Sequence, residues 1–262
     1  MAVVQGAVPK STCDALLKQI EEWPATAEGT SGTTRQPHRR RHQALPMRHN
    51  ASGAAVHALM ETLGDTLRQA LGSADQSGVR VVECGFLTSE PGAQAQAFHA
   101  DTAPARLHAC EARTLKVQLA LVDVTADMGP LEVVPGSHED DFSFSSKKEG
   151  LAEEVVAALG QDESSSSSGV DASAVEKKEE EPILALPILV RAGDATIYWS
   201  SLHHRGGANT ANSKRPTFHI AAIGEGGAPT GMPYTVLVDD LLAIYGEGAS
   251  SEWVSPYVHV TR

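Results

Sequence analysis

Thr114-Leu115-Lys116-Val117-Gln118-Leu119-Ala120-Leu121-Val122 changes character residue by residue. In an extended chain, Leu115, Val117, Leu119 and Leu121 fall on one face and Thr114, Lys116, Gln118 and Ala120 on the other. Such a strand turns a greasy side to helices and a polar side to a cavity. Arg215-Pro216-Thr217-Phe218-His219-Ile220 repeats the pattern, with Arg215, Thr217 and His219 opposite Phe218 and Ile220. Further short β-rich runs at 79–88, 131–134, 183–190, 195–201 and 234–238 are separated by Gly, Pro and Asp, as are those at 114–124 and 215–223. This is the reading of an antiparallel barrel or sandwich.

Upstream the period changes from two to about 3.6. Cys13, Leu16, Leu17, Ile20 and Trp23 have helical spacing before Pro24, and Ser11 with Asp14 resembles a capping box at the start. A second helix is expected from near Ser52 to Gly72, with Val56, Leu59, Met60, Leu63, Leu67 and Leu71 along one side. Both should pack on the outside of the sheet. Residues 29–50, rich in Gly, Ser, Thr and Arg, read as a basic loop, either simply exposed or bordering a site for an anionic substrate. Residues 145–181 hold ten acidic residues, four lysines and a serine run at 164–168, with few large apolar side chains. They read as a low-complexity, mobile insert, either a tolerated surface insertion or a lid, with one short helix at 151–159.

A chain of 262 residues fits one domain of this kind. Its formal charge of -12 disfavours general nucleic-acid binding, which needs a basic surface. Cys13, Cys84 and Cys110 are three, widely spaced and without a CxxC, so neither a disulfide framework nor a zinc knuckle is suggested. No signal-peptide pattern, long apolar run or peroxisomal ending is visible, and the expectation is a cytoplasmic protein without a membrane segment.

The chemistry-bearing residues lie between the strands. Phe98-His99-Ala100-Asp101 reads as a short β segment that points His99 and Asp101 to one side. About a hundred residues later comes Leu202-His203-His204-Arg205-Gly206-Gly207-Ala208-Asn209, followed by Arg215. Two imidazoles and one carboxylate are the ligand set of the facial triad that binds non-haem Fe(II) and leaves positions open. From residue types alone, His203 and His204 compete for the third position.

Residues 91–101, together with Met128-Gly129-Pro130-Leu131-Glu132-Val133-Val134-Pro135-Gly136-Ser137-His138 and with His204, Asn209 and Arg215, resemble the phytanoyl-CoA dioxygenase family of Fe(II)/2-oxoglutarate oxygenases. The likeness extends over 79–223, with a looser match in the first helix. It implies a mainly β double-stranded β-helix, a jelly-roll, cupin-like core with flanking α-helices. It further implies Fe(II) on His99, Asp101 and His204, with His204 preferred because it stands just before the glycine turn. The 2-oxoglutarate would be anchored through its far carboxylate by the planar fork of Arg215. Gln96, three positions before His99, matches a residue that can contact the co-substrate in relatives. Strand parity adds Lys116, Gln118 and Thr217 as candidates around the co-substrate, and His219 as a supporting or substrate residue. His138 reads as part of the turn that shapes the mouth.

The activity implied is O2-dependent oxidation of a small organic molecule, most simply hydroxylation, with release of succinate and CO2. Asp101 stands where chlorinating relatives carry a small residue, so halogenation is disfavoured. A peptide substrate, a non-catalytic cupin-like module and a hydrolytic zinc site are the rival readings; the last lacks a general base and a role for Arg215.

Overall fold

The alternation at 114–122 becomes β4 (Thr114–Ala120), which pairs antiparallel with β7 (Ala195–Trp199) on one edge and β9 (Arg215–Ile223) on the other. The computed structural model of the protein describes residues 1–23, 39–47, 50–73, 78–102, 114–138 and 184–224. Three more strands complete a six-stranded sheet: β1 (Ala2–Val4), β2 (Arg40–Ala44) and β3 (Arg80–Ser89), in the order β1-β7-β4-β9-β3-β2. A second sheet holds β5 (Leu131–Val133), β6 (Leu186–Ile188) and β8 (His204–Gly206), in the order β6-β5-β8.

Side-chain parity decides what each face of the large sheet meets. Leu115, Val117 and Leu119 of β4, with Phe218 and Ile220 of β9, join one core with the helices α1 (Lys10–Glu22) and α2 (Asn50–Leu71). Cys13, Leu16 and Ile20 of α1 and Leu59, Leu63 and Leu67 of α2 are buried there. Each fully buried aliphatic side chain contributes roughly 1.5–3 kcal/mol. On the other face the small sheet closes over Tyr198, which packs with Leu131, Val133 and Leu202. Two facing antiparallel sheets with helices outside the larger one are the double-stranded β-helix expected from the sequence.

Several details differ from the sequence reading. The 29–50 stretch is not all loop, because 40–44 form β2, paired with β3 from Arg40↔Ser89 to Ala44↔Gly85. Arg-Arg-His-Gln offers polar residues to both faces, so alternation of hydrophobicity could not reveal it. Arg40 is buried, and Arg41 lies 4.9 Å over the Phe86 ring. Helix α1 begins at Lys10 after Pro9, without a side-chain cap, so Ser11 does not open it. The proline already sets the entry angle, with φ -58°. Strands β1 and β8 are too short to give a periodic signal. Phe98–Asp101 carries only an isolated bridge, His99↔His204. The strand expected at 234–238, the insert at 145–181 with its helix at 151–159, and Cys110 lie outside the described residues. Cys13 and Cys84 are buried free thiols.

Candidate metal centre

A pair of backbone hydrogen bonds brings the two histidine segments together: His204 N–H donates to the His99 carbonyl at 2.8 Å, and His99 N–H donates back at 3.0 Å. Each ring then faces a nearby carbonyl through Nδ1, His99 to Ala97 at 3.0 Å and His204 to Leu202 at 2.8 Å. A carbonyl only accepts, so both Nδ1 atoms carry hydrogen, and Nε2 is the nitrogen each ring can offer as a ligand. Those Nε2 atoms each lie 3.9 Å from Asp101 Oδ1. The three ligand atoms converge within 4.8 Å of one another.

Electrostatics keep Asp101 and His204 in their ligating forms. Burial pushes the His204 imidazole below its ordinary value despite the opposing Asp101 charge, so it is neutral near pH 7. Burial alone would raise the Asp101 carboxyl, but Lys116 above all, with His204 and His99, holds it below the usual carboxylate range. His99 is 40% exposed and His204 7%, so the centre opens on the His99 side. Two imidazoles and a carboxylate on one side of a partly open site fit a ferrous ion.

Arg215, the first residue of β9, is 3% exposed. Its Nη2 reaches Ser89 Oγ at a long 3.4 Å, its Nε has no hydrogen-bond partner, and no carboxylate pairs with it among the described residues. Burial, with repulsion from Arg40, pulls the guanidinium down to about 10, which still leaves it cationic near pH 7. It lines a small cavity between the two sheets with Gln118, Thr196 and Thr217 on the polar side and Leu131 and Ile188 opposite. A buried, under-satisfied cation facing such a cavity is a receptor for a carboxylate.

The remaining sequence candidates occupy distinct places. Gln96 pairs with Gly206, its side-chain oxygen accepting from the Gly206 N–H at 2.9 Å, and so braces β8. Gln118 donates to the Tyr198 hydroxyl at 2.9 Å. The Thr217 hydroxyl donates to the Leu87 carbonyl at 3.1 Å while its residue lines the Arg215 cavity. Lys116 is drawn away from that cavity to Glu83 and Asp101. The His203 backbone N–H donates to the Ser137 hydroxyl oxygen at 2.8 Å, while the neighbouring His204 turns toward Asp101. Asn209 ties the glycine turn to Ser89 and Ser213 carbonyls at 3.1 and 2.9 Å.

Sequence reasoning missed Glu83 and His42. With His219 they form a second cluster whose ligand-type atoms also lie within 4.8 Å of one another. A lone carboxylate inside the apolar run Val81-Val82-Glu83-Cys84-Gly85-Phe86 was the available signal, because a buried Glu requires a partner. His42 gave none, since its strand was read as loop.

No curated protein matches this sequence. Among solved structures, the fold is similar to HygX from Streptomyces hygroscopicus with nickel and 2-oxoglutarate bound, at 14% identity and a TM-score of 0.59, covering 87% of this chain and 84% of that one. It is also similar to the non-haem α-ketoglutarate-dependent epimerase SnoN from nogalamycin biosynthesis, at 16% identity and TM-score 0.52 over 85% of this chain and 78% of that one. The carbocyclase SnoK of the same biosynthesis gives 16%, 0.51, 85% and 79%. The family model described as phytanoyl-CoA dioxygenase matches residues 1–217, a span that runs from β1 through the two histidine segments to Arg215 and Thr217. The chain thus belongs to the phytanoyl-CoA dioxygenase family and is an Fe(II)/2-oxoglutarate-dependent oxidoreductase.

Proposed function

We propose that this oxygenase holds Fe(II) on His99, Asp101 and His204, binds the far carboxylate of 2-oxoglutarate on Arg215, and oxidises a small organic molecule, most simply by hydroxylation. The observation that carries this reading is Arg215: a buried guanidinium with an unsatisfied Nε, facing a cavity between the two sheets. When bound, iron and 2-oxoglutarate would supply O2 activation: O2 is the oxidant, taking two electrons from the oxidative decarboxylation of 2-oxoglutarate to succinate and CO2 and two from the substrate. The chain's own part is positional. The carbonyls of Ala97 and Leu202 fix the histidine tautomers, and Gln96 braces the strand that carries His204. Leu131 and Ile188 shelter the guanidinium side from water, which strengthens its bond to a carboxylate. The more exposed His99 side is the route left for substrate.

HygX, which has been solved with nickel, 2-oxoglutarate and hygromycin B bound, supports a small-molecule substrate. SnoN, an epimerase, and SnoK, a carbocyclase, share this fold, so the fold by itself does not fix hydroxylation as the outcome. The test is anaerobic titration of apo-protein with Fe(II) and then 2-oxoglutarate, followed by O2 and a succinate assay. The expected result is a weak visible chelate band and succinate formation. Folded, iron-loaded protein that gives neither would overturn the proposal.

A further inference from the structure

Between β3 and β4 runs a buried chain of charged and polar side chains that ends on the candidate iron ligand. Glu83 and Lys116 stand two strands apart, each opposite Ala221 of β9, and meet over that small residue. A register shift in β3 between Val81 and Glu83 sets Glu83 at this level. One Glu83 oxygen, Oε2, takes the Lys116 ammonium; the other, Oε1, lies 3.1 Å from His219 Nε2, which is in turn 3.1 Å from His42 Nε2. Beyond Glu83, Lys116 Nζ lies 3.6 Å from Asp101 Oδ2. The two oxygens of Asp101 therefore have different neighbours: Oδ1 faces both imidazole Nε2 atoms, and Oδ2 faces the ammonium.

We infer that Lys116 is a positioning residue for Asp101, holding Oδ2 so that the carboxylate offers iron Oδ1 alone; this rests on the proposed metal assignment. A carboxylate left free to turn can chelate through both oxygens and occupy a position the reaction needs open. Lys116 is suited to prevent this, because its side chain is 10% exposed and it sits in the middle strand of three, with Glu83 fixing its other side. Glu83, His219 and His42 resemble a second metal-binding set by geometry. Lys116 already neutralises Glu83 through Oε2, and a divalent ion on Oε1 and the two Nε2 atoms would set two further positive charges beside that buried ammonium. The cluster is therefore assigned as the anchor of Lys116.

The test compares full-length wild type with Lys116→Met and with Lys116→Met/Glu83→Gln, the second because loss of the lysine alone strands a buried carboxylate and can prevent folding. Apo-protein melting establishes that each is folded, and anaerobic Fe(II) titration against a competing chelator gives affinity and stoichiometry. Wild type is expected to bind one equivalent, and the folded variants to bind about 10- to 100-fold more weakly, with a shifted 2-oxoglutarate chelate band. Wild-type affinity and an unchanged band in a folded variant would overturn the positioning role alone. A second equivalent of Fe(II) in wild type, lost in His42→Ala, would overturn it by making Glu83 a ligand. Failure of wild type to bind Fe(II) would remove the proposed function and this role together.

Discussion

At the scale of single residues, the proposed roles of Arg215 and His204 divide the work of binding, and removing each should separate them cleanly. Arg215→Ala deletes the buried cation facing the inter-sheet cavity, and truncating one side of a buried charged pair costs about 2–5 kcal/mol, so 2-oxoglutarate affinity should fall at least about 30-fold. Fe(II) affinity should stay near wild type, whereas His204→Ala should lose Fe(II) itself; calorimetric titration of each ligand checks both. His42 gives a pH signature. Burial, with His219 and despite Glu83, pushes its ring down to about 4. The unfolded chain therefore protonates His42 first, and stability is lost as pH falls from about 6.5 to about 4, on the order of 3 kcal/mol from this group. His203 and His204 shift in the same direction, so the wild-type loss exceeds the share of His42. Melting of apo-protein across that window should show a shallower fall for His42→Asn. Of these residues, His99, Asp101, His204 and Arg215 were legible because their spacing is a motif. His42 and Glu83 were not, because their partners come from strands far away in sequence.

At the scale of elements, the connection into β5 is held by a glycine that nothing else can replace. Gly129 has φ 69°, and a Cβ there would stand 2.3 Å from the Gly207 carbonyl oxygen and 2.7 Å from the Ala208 carbonyl carbon. Gly129→Ala should therefore cost about 2 kcal/mol or more, read as a lower urea midpoint, because both the left-handed conformation and the contact with the turn after β8 resist a side chain. Leu16→Ala in α1 tests the other side of the sheet. Its side chain is fully buried against the core, and the loss should fall in the range of about 2–5 kcal/mol for a large-to-small change. Helix periodicity made both helices readable. Short strands carry three residues or mixed polarity, and β1, β2 and β8 escaped for that reason.

At the scale of the whole molecule, the site is assembled from both sheets and from the segment around His99, so ligands should stabilise the fold by mass action. Fe(II) and then 2-oxoglutarate, each at about 100 times its Kd, should each add about 2.7 kcal/mol and raise Tm by about 5–10 °C. Chelation with EDTA should reverse the shift, and Arg215→Ala should respond to iron but not to 2-oxoglutarate in differential scanning calorimetry. By itself the sequence determined which faces are apolar, where the two described helices run, and which four residues are the candidates for iron and co-substrate. These follow from local periodicity and spacing along one chain. Only the tertiary structure decided that Lys116 turns to Asp101 rather than to the Arg215 cavity, and that Glu83, His219 and His42 stand behind it. Strand parity assigns a side chain to a face, but the partner it meets there depends on register between strands 30 to 180 residues apart.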